Sequence, residues 1–334
     1  MKIKLFFAAV LLTLALLPSC RWQSNIPTDA SSDTDPAETT ARMQSEEDGD
    51  ELEITALVFD SSREYDYANL YYDPVDVYCY DALSDAQKEA YRMLAYAVDC
   101  IVADGIGEKT TWTLESDIMI FMDDVDTARS LFCANYQVLK NTVDKIEADC
   151  KIFKNTVILT YINDDSSRHD VELYLGALDM ADELLDEVDM TASVEDIAYE
   201  IAKNLSGKSE YDAEYLTENC VYGMLADKKG ICQGFAYTYD FLCKRAGLNV
   251  ITATATRGDY YHVWCMIILD GEWYNIDPTW MTTMDDGCDY FLFDDVLRSR
   301  YQRTKMSDTC YYYDYSKNKA INAPTCTDQS KNEQ

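Results

Sequence analysis

The sequence predicts an α+β fold, in which a helix that carries a cysteine packs on an antiparallel sheet. Apolar residues recur at helical spacing in several segments, whereas other segments alternate in the manner of strands. Two-residue turn signals join strands that would then pair antiparallel. We find no internal repeat. A mixture of helices and antiparallel strands of this kind is typical of α+β proteins.

The first half of the chain is predicted to form a smaller α+β region over residues 55–190. Its clearest element starts at Ser84, because Ser84 and Gln87 form a capping box ahead of a one-sided apolar pattern. The predicted elements are helices over residues 84–104, 123–134 and 170–188, and strands within residues 138–162 that turn at Lys154-Asn155. This region carries no constellation of catalytic residues.

The second half is predicted to form the catalytic region over residues 191–305. Ser193 is expected to cap one helix, and Gly247 is expected to end a second helix that begins near Ile231. Strands are predicted over residues 250–256, 261–269 and 272–276. The dipeptide Asp270-Gly271 between the last two strands is a strong hairpin signal.

A cysteine stands at the start of the second helix of this region. Cys232 would lie in the first turn, where unpaired backbone N–H groups and the positive end of the helix dipole favour a thiolate and later an oxyanion. A thiol attacks a carbonyl well only as a thiolate, so it needs a base beside it and a third group that orients the base. His262 and Asp277 are the candidates for these two roles.

The hairpin turn sets the register of the two strands that carry the base and the acid. In that register Trp264 lies opposite Asp277, and His262, two residues from Trp264, points to the same face. Diagonal neighbours across two strands lie roughly 7–8 Å apart, within reach of their side chains. The sequence therefore predicts that the Asp277 carboxylate orients the imidazole, whose other ring nitrogen faces the thiol.

Four segments carry a resemblance to a known family: KGICQGFA at residues 229–236, AGL at 246–248, HVW at 262–264, and DGEWYNIDPTW at 270–280, and the upstream Tyr211-Asp212 also fits it. Together they resemble the transglutaminase-like superfamily, in particular its secreted bacterial members. The resemblance is specific over residues 229–280 and looser over residues 193–301. It implies a papain- or transglutaminase-like core with Cys232 as nucleophile, His262 as base and Asp277 as orienting acid. Cys265 departs from the pattern, because relatives often carry asparagine at that place.

The resemblance implies an exported thiol acyl-transfer enzyme that uses the Cys-His-Asp triad to cleave or transfer an amide, peptide or glutaminyl, through a thioester. With water as acceptor it would be a cysteine peptidase; with an amine it would be a transglutaminase-like acyltransferase, and the sequence does not choose. The alternative is a catalytically silent, membrane-tethered binding module that retains the fold. The expected partner is a protein or peptide substrate, and no cofactor is expected.

Aromatic residues crowd the predicted site. Trp264 shares the face of His262, so it is the best candidate to contact substrate. Trp273 and Trp280 are expected to pack in the core, where bulky rings fill space.

The N-terminus has the features of an export signal over residues 1–19. Lys2 and Lys4 precede an apolar run that is too short to span a bilayer. The following LPSC resembles a bacterial lipobox, which implies a lipid on Cys20; Pro18 is unusual there, so plain secretion stays open.

Residues 20–54 are acidic and rich in Ser and Thr, which predicts a disordered tether. Residues 306–334 are interpreted as a C-terminal extension and tail. The expected location is extracytoplasmic, with a membrane anchor only at Cys20.

Charge and cysteine content limit the partners further. The net charge of −33 argues against nucleic acid and anionic lipid as direct partners. Among the 12 cysteines, an even number remains after Cys20 and Cys232 are set aside, which permits disulfides outside the cytoplasm. No CxxC pair and no Cys/His cluster with zinc spacing occurs in the sequence, so we predict no structural metal.

Overall fold

The computed structural model describes residues 51–57, 77–104, 109–257, 260–284, 290–302, 308–314 and 319–328. The predicted signal peptide, the lipidation site Cys20 and most of the predicted tether lie outside these residues. Helices and sheets are mixed along the chain, which confirms the predicted α+β class. No helix within the described ranges is both long enough and apolar enough to cross a membrane.

The first half of the chain folds into one sheet with helices beside it. Its elements are β1 (Glu51–Leu57), α1 (Asp85–Asp104), β2 (Lys109–Glu115), α2 (Met122–Asn135), α3 (Lys140–Asp144), β3 (Ile146–Lys151), β4 (Thr156–Ile162) and α4 (Asp165–Leu185). The strands lie in the order β1-β2-β4-β3. β1 pairs with β2 in parallel, and the other two pairings are antiparallel. The strand β1 begins inside the last residues of the predicted tether.

Capping explains where the first helix begins. The backbone N–H of Ser84 donates to Gln87 Oε1 at 3.0 Å, and the N–H of Gln87 donates to Ser84 Oγ at 3.2 Å. These two bonds are the predicted capping box. The predicted turn at Lys154-Asn155 is also present, with Asn155 in the left-handed region at φ 48°.

Two boundaries in this half differ from the prediction. Residues 137–144 are helical rather than extended, in a 3-10 turn followed by α3. The buried residues Val138, Leu139, Thr142 and Val143 fall at helical spacing, which accounts for the difference. Helix α4 starts five residues earlier than predicted, because Asp164 caps it by accepting the N–H of Ser167 at 2.8 Å.

The second half contributes a larger sheet and the helices that cover it. Its elements are α5 (Val194–Lys208), β5 (Glu210–Tyr211), α6 (Cys220–Asp227), β6 (Lys229–Gly230), α7 (Cys232–Arg245), β7 (Val250–Arg257), β8 (Tyr260–Leu269), β9 (Glu272–Ile276), α8 (Pro278–Thr283), α9 (Asp295–Gln302), β10 (Thr309–Asp314) and β11 (Lys319–Asn322). Five of the strands form an antiparallel sheet of order β11-β10-β7-β8-β9. Helix α7 packs against β7 and β8.

The β8–β9 hairpin forms as the turn signal predicts. Leu269 pairs with Glu272, and the two turn residues both have positive φ, 53° at Asp270 and 85° at Gly271. A two-residue turn with this backbone matches the twist of the flanking strands. The register that follows from it places the candidate base and acid side by side.

One apolar core runs through both halves of the described chain. A buried polar contact joins them as well: Lys244 Nζ donates to Asn135 O at 2.7 Å and to Asp240 Oδ2 at 2.9 Å. Lys244 is 1% exposed and Asp240 is 2% exposed. Lys244 and Asp240 lie on α7, and Asn135 lies on α2. The first half of the chain therefore stabilises the position of α7.

Candidate active site

The candidate nucleophile lies at the N-terminal end of α7. Cys232 is the first residue of the helix, and Ile231 before it has extended backbone and no side chain that caps the helix. Cys232 is partly exposed, whereas Phe235, one turn later, is buried. The first-turn N–H groups of a helix point outward along its axis and carry partial positive charge. The thiol therefore lies where an anion is stabilised.

The candidate base and acid are in direct contact. His262 Nε2 and Asp277 Oδ2 are 2.6 Å apart. Both residues are buried, with His262 3% exposed and Asp277 not exposed at all. The structure thus brings these two residues together on one face of the hairpin, as the turn register predicts.

The environment of His262 favours the charged imidazole. Burial lowers its pKa, but the Asp277 carboxylate, by its charge and its hydrogen bond, outweighs burial and raises the pKa to about 10. A side-chain hydrogen bond with Cys232 adds to the increase. Because Nε2 faces Asp277, Nδ1 is the ring nitrogen left for the thiol. The three predicted residues therefore form one connected set.

Asp277 has a second structural task. It is the N-cap of α8, where Oδ1 accepts the N–H of Trp280 at 3.2 Å and Pro278 occupies the first helical position. Its own N–H donates to Tyr290 O at 2.8 Å. The carboxylate thus uses one oxygen for the helix and the other for the imidazole, which fixes its orientation.

Two indole rings hold the imidazole. The His262 ring lies 5.2 Å from Trp280 at an interplanar angle of 18°, and 6.1 Å from Trp264 at 14°. Nearly parallel rings at these distances limit how far the imidazole can tilt. They also exclude water from the His262–Asp277 contact, which strengthens it.

Trp264 does not have the position expected for a substrate contact. Its side chain is completely buried, its Nε1 donates to Asn275 Oδ1 at 2.8 Å, and the Arg298 guanidinium lies 5.3 Å from the ring. It shares the face of His262, as alternation predicts, but α9 covers it with Arg298. Trp264 therefore packs beside the imidazole and has no exposed surface in this structure.

A buried polar network behind Trp264 was not apparent from the sequence. Asn275 Nδ2 donates to Phe293 O at 3.1 Å and to Asp295 Oδ1 at 3.2 Å. Asp295 also accepts from Arg298 Nε at 3.1 Å and from the Cys326 N–H at 2.8 Å. Asp295 and Arg298, three residues apart, have the pattern of a solvated helix face, so no local signal indicated their burial.

Tyr211, which the resemblance places on the approach to the cysteine helix, is a further neighbour of the nucleophile. The parallel pairing of β5 with β6 places Tyr211 opposite Gly230, two residues before Cys232. Burial raises the pKa of Tyr211, and the charge of the Cys232 thiolate raises it further. The Tyr211 hydroxyl and the sulfur are thus close enough to interact electrostatically.

Two other residues of reactive types, Cys265 and His169, lie away from the triad. Cys265 is buried and its Sγ donates to Ala236 O at 3.1 Å, so it points into α7, away from His262 as predicted. His169 lies on α4, with Nε2 3.2 Å from a carboxylate oxygen of Glu218.

The ten cysteines within the described ranges are all free thiols. Among those same residues, no group of three or more His, Cys, Asp or Glu is placed to hold a metal ion.

Part of the chain matches the sequence model of a known family. Residues 180–278 match the sequence model of the transglutaminase-like superfamily, and that span contains Cys232, His262 and Asp277. No curated protein sequence matches the chain.

Three solved structures are similar to the chain. The crystal structure of a TGase has 15% identity and a TM-score of 0.28, and the match covers 52% of this chain and 51% of that one. A candidate cysteine protease from Cytophaga hutchinsonii has 12% identity and a TM-score of 0.27, over 40% of this chain and 61% of that one. The periplasmic domain of TgpA from Pseudomonas aeruginosa has 15% identity and a TM-score of 0.26, over 41% and 63%. The chain thus spans between about half and two thirds of these proteins.

Proposed function

We propose that this chain, whose residues 180–278 match the sequence model of the transglutaminase-like superfamily, is a thiol acyl-transfer enzyme with Cys232 as its nucleophile. The observation that carries this proposal is the 2.6 Å contact between His262 and Asp277, on an imidazole that also hydrogen-bonds Cys232. A thiol, a base and an orienting carboxylate in that order are the parts that covalent catalysis at an amide needs.

The first half of the reaction forms a thioester. His262 holds the proton of Cys232 on Nδ1, and the thiolate attacks the amide carbonyl carbon to form a C–S bond. The carbonyl oxygen becomes an oxyanion, which the backbone N–H of Cys232 and the N-terminal end of α7 stabilise. The C–N bond then breaks, and the imidazolium gives its proton to the leaving amine. Asp277 keeps the ring oriented and stabilises its positive charge throughout.

The second half releases the acyl group. An acceptor attacks the thioester carbonyl while His262 takes its proton, and Cys232 leaves as thiolate. Water as acceptor gives hydrolysis, as in a peptidase or deamidase, and an amine gives a cross-link. We favour water, because the sequence contains no calcium-loop motif and no segment that indicates a dedicated amine site.

A competition between the two acceptors tests this function. The purified protein is incubated with a library of glutamine-containing peptides and a labelled primary amine, and mass spectrometry counts hydrolysed and amine-labelled products. We expect hydrolysis to exceed amine incorporation, and both to disappear on alkylation of Cys232. Absence of both products, from a protein whose Cys232 reacts with iodoacetamide no faster than its other thiols, would contradict the proposal.

The raised pKa of His262 predicts the alkaline limit of activity. The imidazole must be protonated to protonate the leaving amine, so kcat/KM should fall as pH rises through about 10, the pKa of His262. The stability that the His262–Asp277 contact provides follows the same rule. Since the folded pKa lies above the unfolded value of about 6.5, this stability is complete below that pH and is lost as pH rises through the folded pKa.

Rate and unfolding are therefore measured together from pH 6 to 11. Circular dichroism at each pH separates loss of fold from loss of the proton. A rate that already declines near pH 7, with the fold intact, would show that the carboxylate does not hold the imidazole in its charged form.

The location proposed for this enzyme rests on the leader sequence alone. We propose export and lipid attachment at Cys20, with the catalytic region held outside the cytoplasm. The mass of the mature N-terminal peptide decides between a diacylated Cys20 and a plain cleaved terminus.

A further inference from the structure

A small cleft opens beside the cysteine, between the start of α7 and the loop that precedes α6. Its lining consists of Tyr215, Leu216, Thr217, Cys220, Gly230, Ile231, Gln233 and Gly234. Ile231 and Gln233 are the residues immediately before and after Cys232. Cys220, which also lines the cleft, lies near enough to Cys232 for the charge of that thiolate to add to the increase in pKa that burial causes at Cys220. The cleft therefore adjoins the nucleophile.

The loop that forms the outer wall is held in place. The Tyr215 hydroxyl hydrogen-bonds Asp227, and the Tyr215 N–H donates to Asp212 O at 3.1 Å. Tyr215 and Thr217 also pack directly on α6 at Gly223: a Cβ added there would lie 2.7 Å from Thr217 Cγ2 and 3.0 Å from the Tyr215 hydroxyl. These contacts fix the conformation of the loop without a ligand.

Leu216, between these two anchored residues, remains in contact with solvent. Its side chain is 68% exposed although it lines the cleft. Single exposed apolar residues are common on protein surfaces, so the exposure alone indicates no function. What distinguishes Leu216 is its place in the lining of a cleft that adjoins the nucleophile, where it can contact a group that enters the cleft.

The lining indicates the chemistry of that ligand. It contains no charged side chain, and Gly230 and Gly234 contribute only backbone. The cleft has a volume of about 60 Å³. One water needs roughly 10–15 Å³ of such volume, so the cleft holds about four to six heavy atoms. The benzyl side chain of phenylalanine exceeds that number, and a charged group would lose part of its hydration without a charged partner.

We propose that this cleft is a specificity subsite for the acyl donor, which receives an aliphatic side chain of three or four carbons next to the scissile carbonyl. Leu216 covers the bound side chain and removes it from water. This inference rests on the proposed function, because it takes Cys232 as the nucleophile. It names the residue class on the donor side, which the triad alone does not determine.

Affinity labels of matched structure test the subsite. The probes are N-blocked chloromethyl ketones of glycine, valine, phenylalanine and aspartate, in which Cys232 Sγ displaces chloride from the methylene carbon. Iodoacetamide, which has no side chain, measures the thiol alone. We expect the valine probe to react at least about 10-fold faster than the glycine, phenylalanine and aspartate probes, since even one methylene in an apolar pocket is worth roughly 10-fold or more.

The variant Leu216→Ala should remove most of this preference. We expect the ratio of valine to glycine rates to fall about 5- to 10-fold, with little change in the iodoacetamide rate, because the thiol and its base are untouched. Val194→Ala is the matched control: Val194 is 53% exposed and lies outside the cleft, so the ratio should stay at the parent value. Peptide mapping verifies that Cys232 is labelled, since burial raises the pKa of the neighbouring Cys220 to about 12 and keeps that thiol unreactive.

Failure of the proposed subsite and failure of the proposed function give different results. Equal rates for the valine and glycine probes, or an unchanged ratio in Leu216→Ala, overturn the subsite while fast iodoacetamide labelling leaves the proposed function standing. Slow labelling of Cys232 by iodoacetamide and by every probe overturns the proposed function itself, and the subsite with it.

Discussion

Replacing Cys232 with alanine should abolish acyl transfer and leave the fold intact. Without the sulfur no thioester forms, so we expect kcat/KM to fall on the order of 10⁴-fold or more, as for nucleophile removal in other covalent enzymes. Cys232 is partly exposed at the first position of α7. Alanine suits a helix there, so the free energy of unfolding should change by no more than about 0.5 kcal/mol. Steady-state kinetics and urea unfolding measure the two effects.

A matched cysteine separates this result from a general loss of thiols. Cys150 lies on β3 in the first half of the chain and is also partly exposed. Burial raises its pKa, so Cys150→Ala should retain full activity. In the parent protein, iodoacetamide should label Cys232 selectively and with a pH dependence. Full activity in Cys232→Ala would remove the proposed mechanism, and unselective labelling would favour the silent binding module.

The geometry of the triad could be predicted because it depends on short-range rules. The Asp270-Gly271 turn sets the register of its hairpin, and side chains alternate strictly along a strand. From these two rules alone, His262 and Asp277 had to share a face. The position of the cysteine could also be predicted from local sequence, because the first residue of a helix lies at the N-terminal end of the helix dipole.

Burial could not be predicted in the same way. Alternation placed Trp264 on the face of His262, but it did not say that α9 would cover that face with Arg298. Asp295 and Arg298 look like surface residues because their partners come from β9 and from the chain near Cys326, which no local pattern connects to them. Local pattern therefore predicted the face on which Trp264 lies but not the complete burial of its ring.

The first half of the chain shows the same limit. The helix at residues 140–144 follows from the spacing of Val138, Leu139 and Val143, yet β-branched residues nearby favoured strands. The parallel pairing of β1 with β2 joins segments that lie more than fifty residues apart, at Glu51 and Lys109 for example. Such a pairing depends on the whole fold.

Asp277→Asn should be the most informative change, because it removes one charge and almost no volume. Asparagine is as good a helix N-cap as aspartate, so its Oδ1 can still accept the Trp280 N–H and α8 should remain in place. At His262 the substitution changes which influence on the pKa is larger, burial or the neighbouring residue 277. Once the carboxylate is gone, burial dominates and lowers the pKa of the imidazole from about 10. The ring then gives up its proton, so no unpaired charge is left buried.

We expect kcat/KM of Asp277→Asn to fall on the order of 10²–10⁴-fold, since the imidazole loses both its orientation and the stabilisation of its charged form. The alkaline limit of activity should move to lower pH by the same cause. NMR titration of His262 measures the pKa directly, and kinetics measures the rate. Asp164→Asn is the matched control, because Asp164 caps α4 with the same geometry far along the chain from the triad. That variant should keep both the rate and the His262 pKa, and if Asp277→Asn did so too, the carboxylate would have no role in the chemistry.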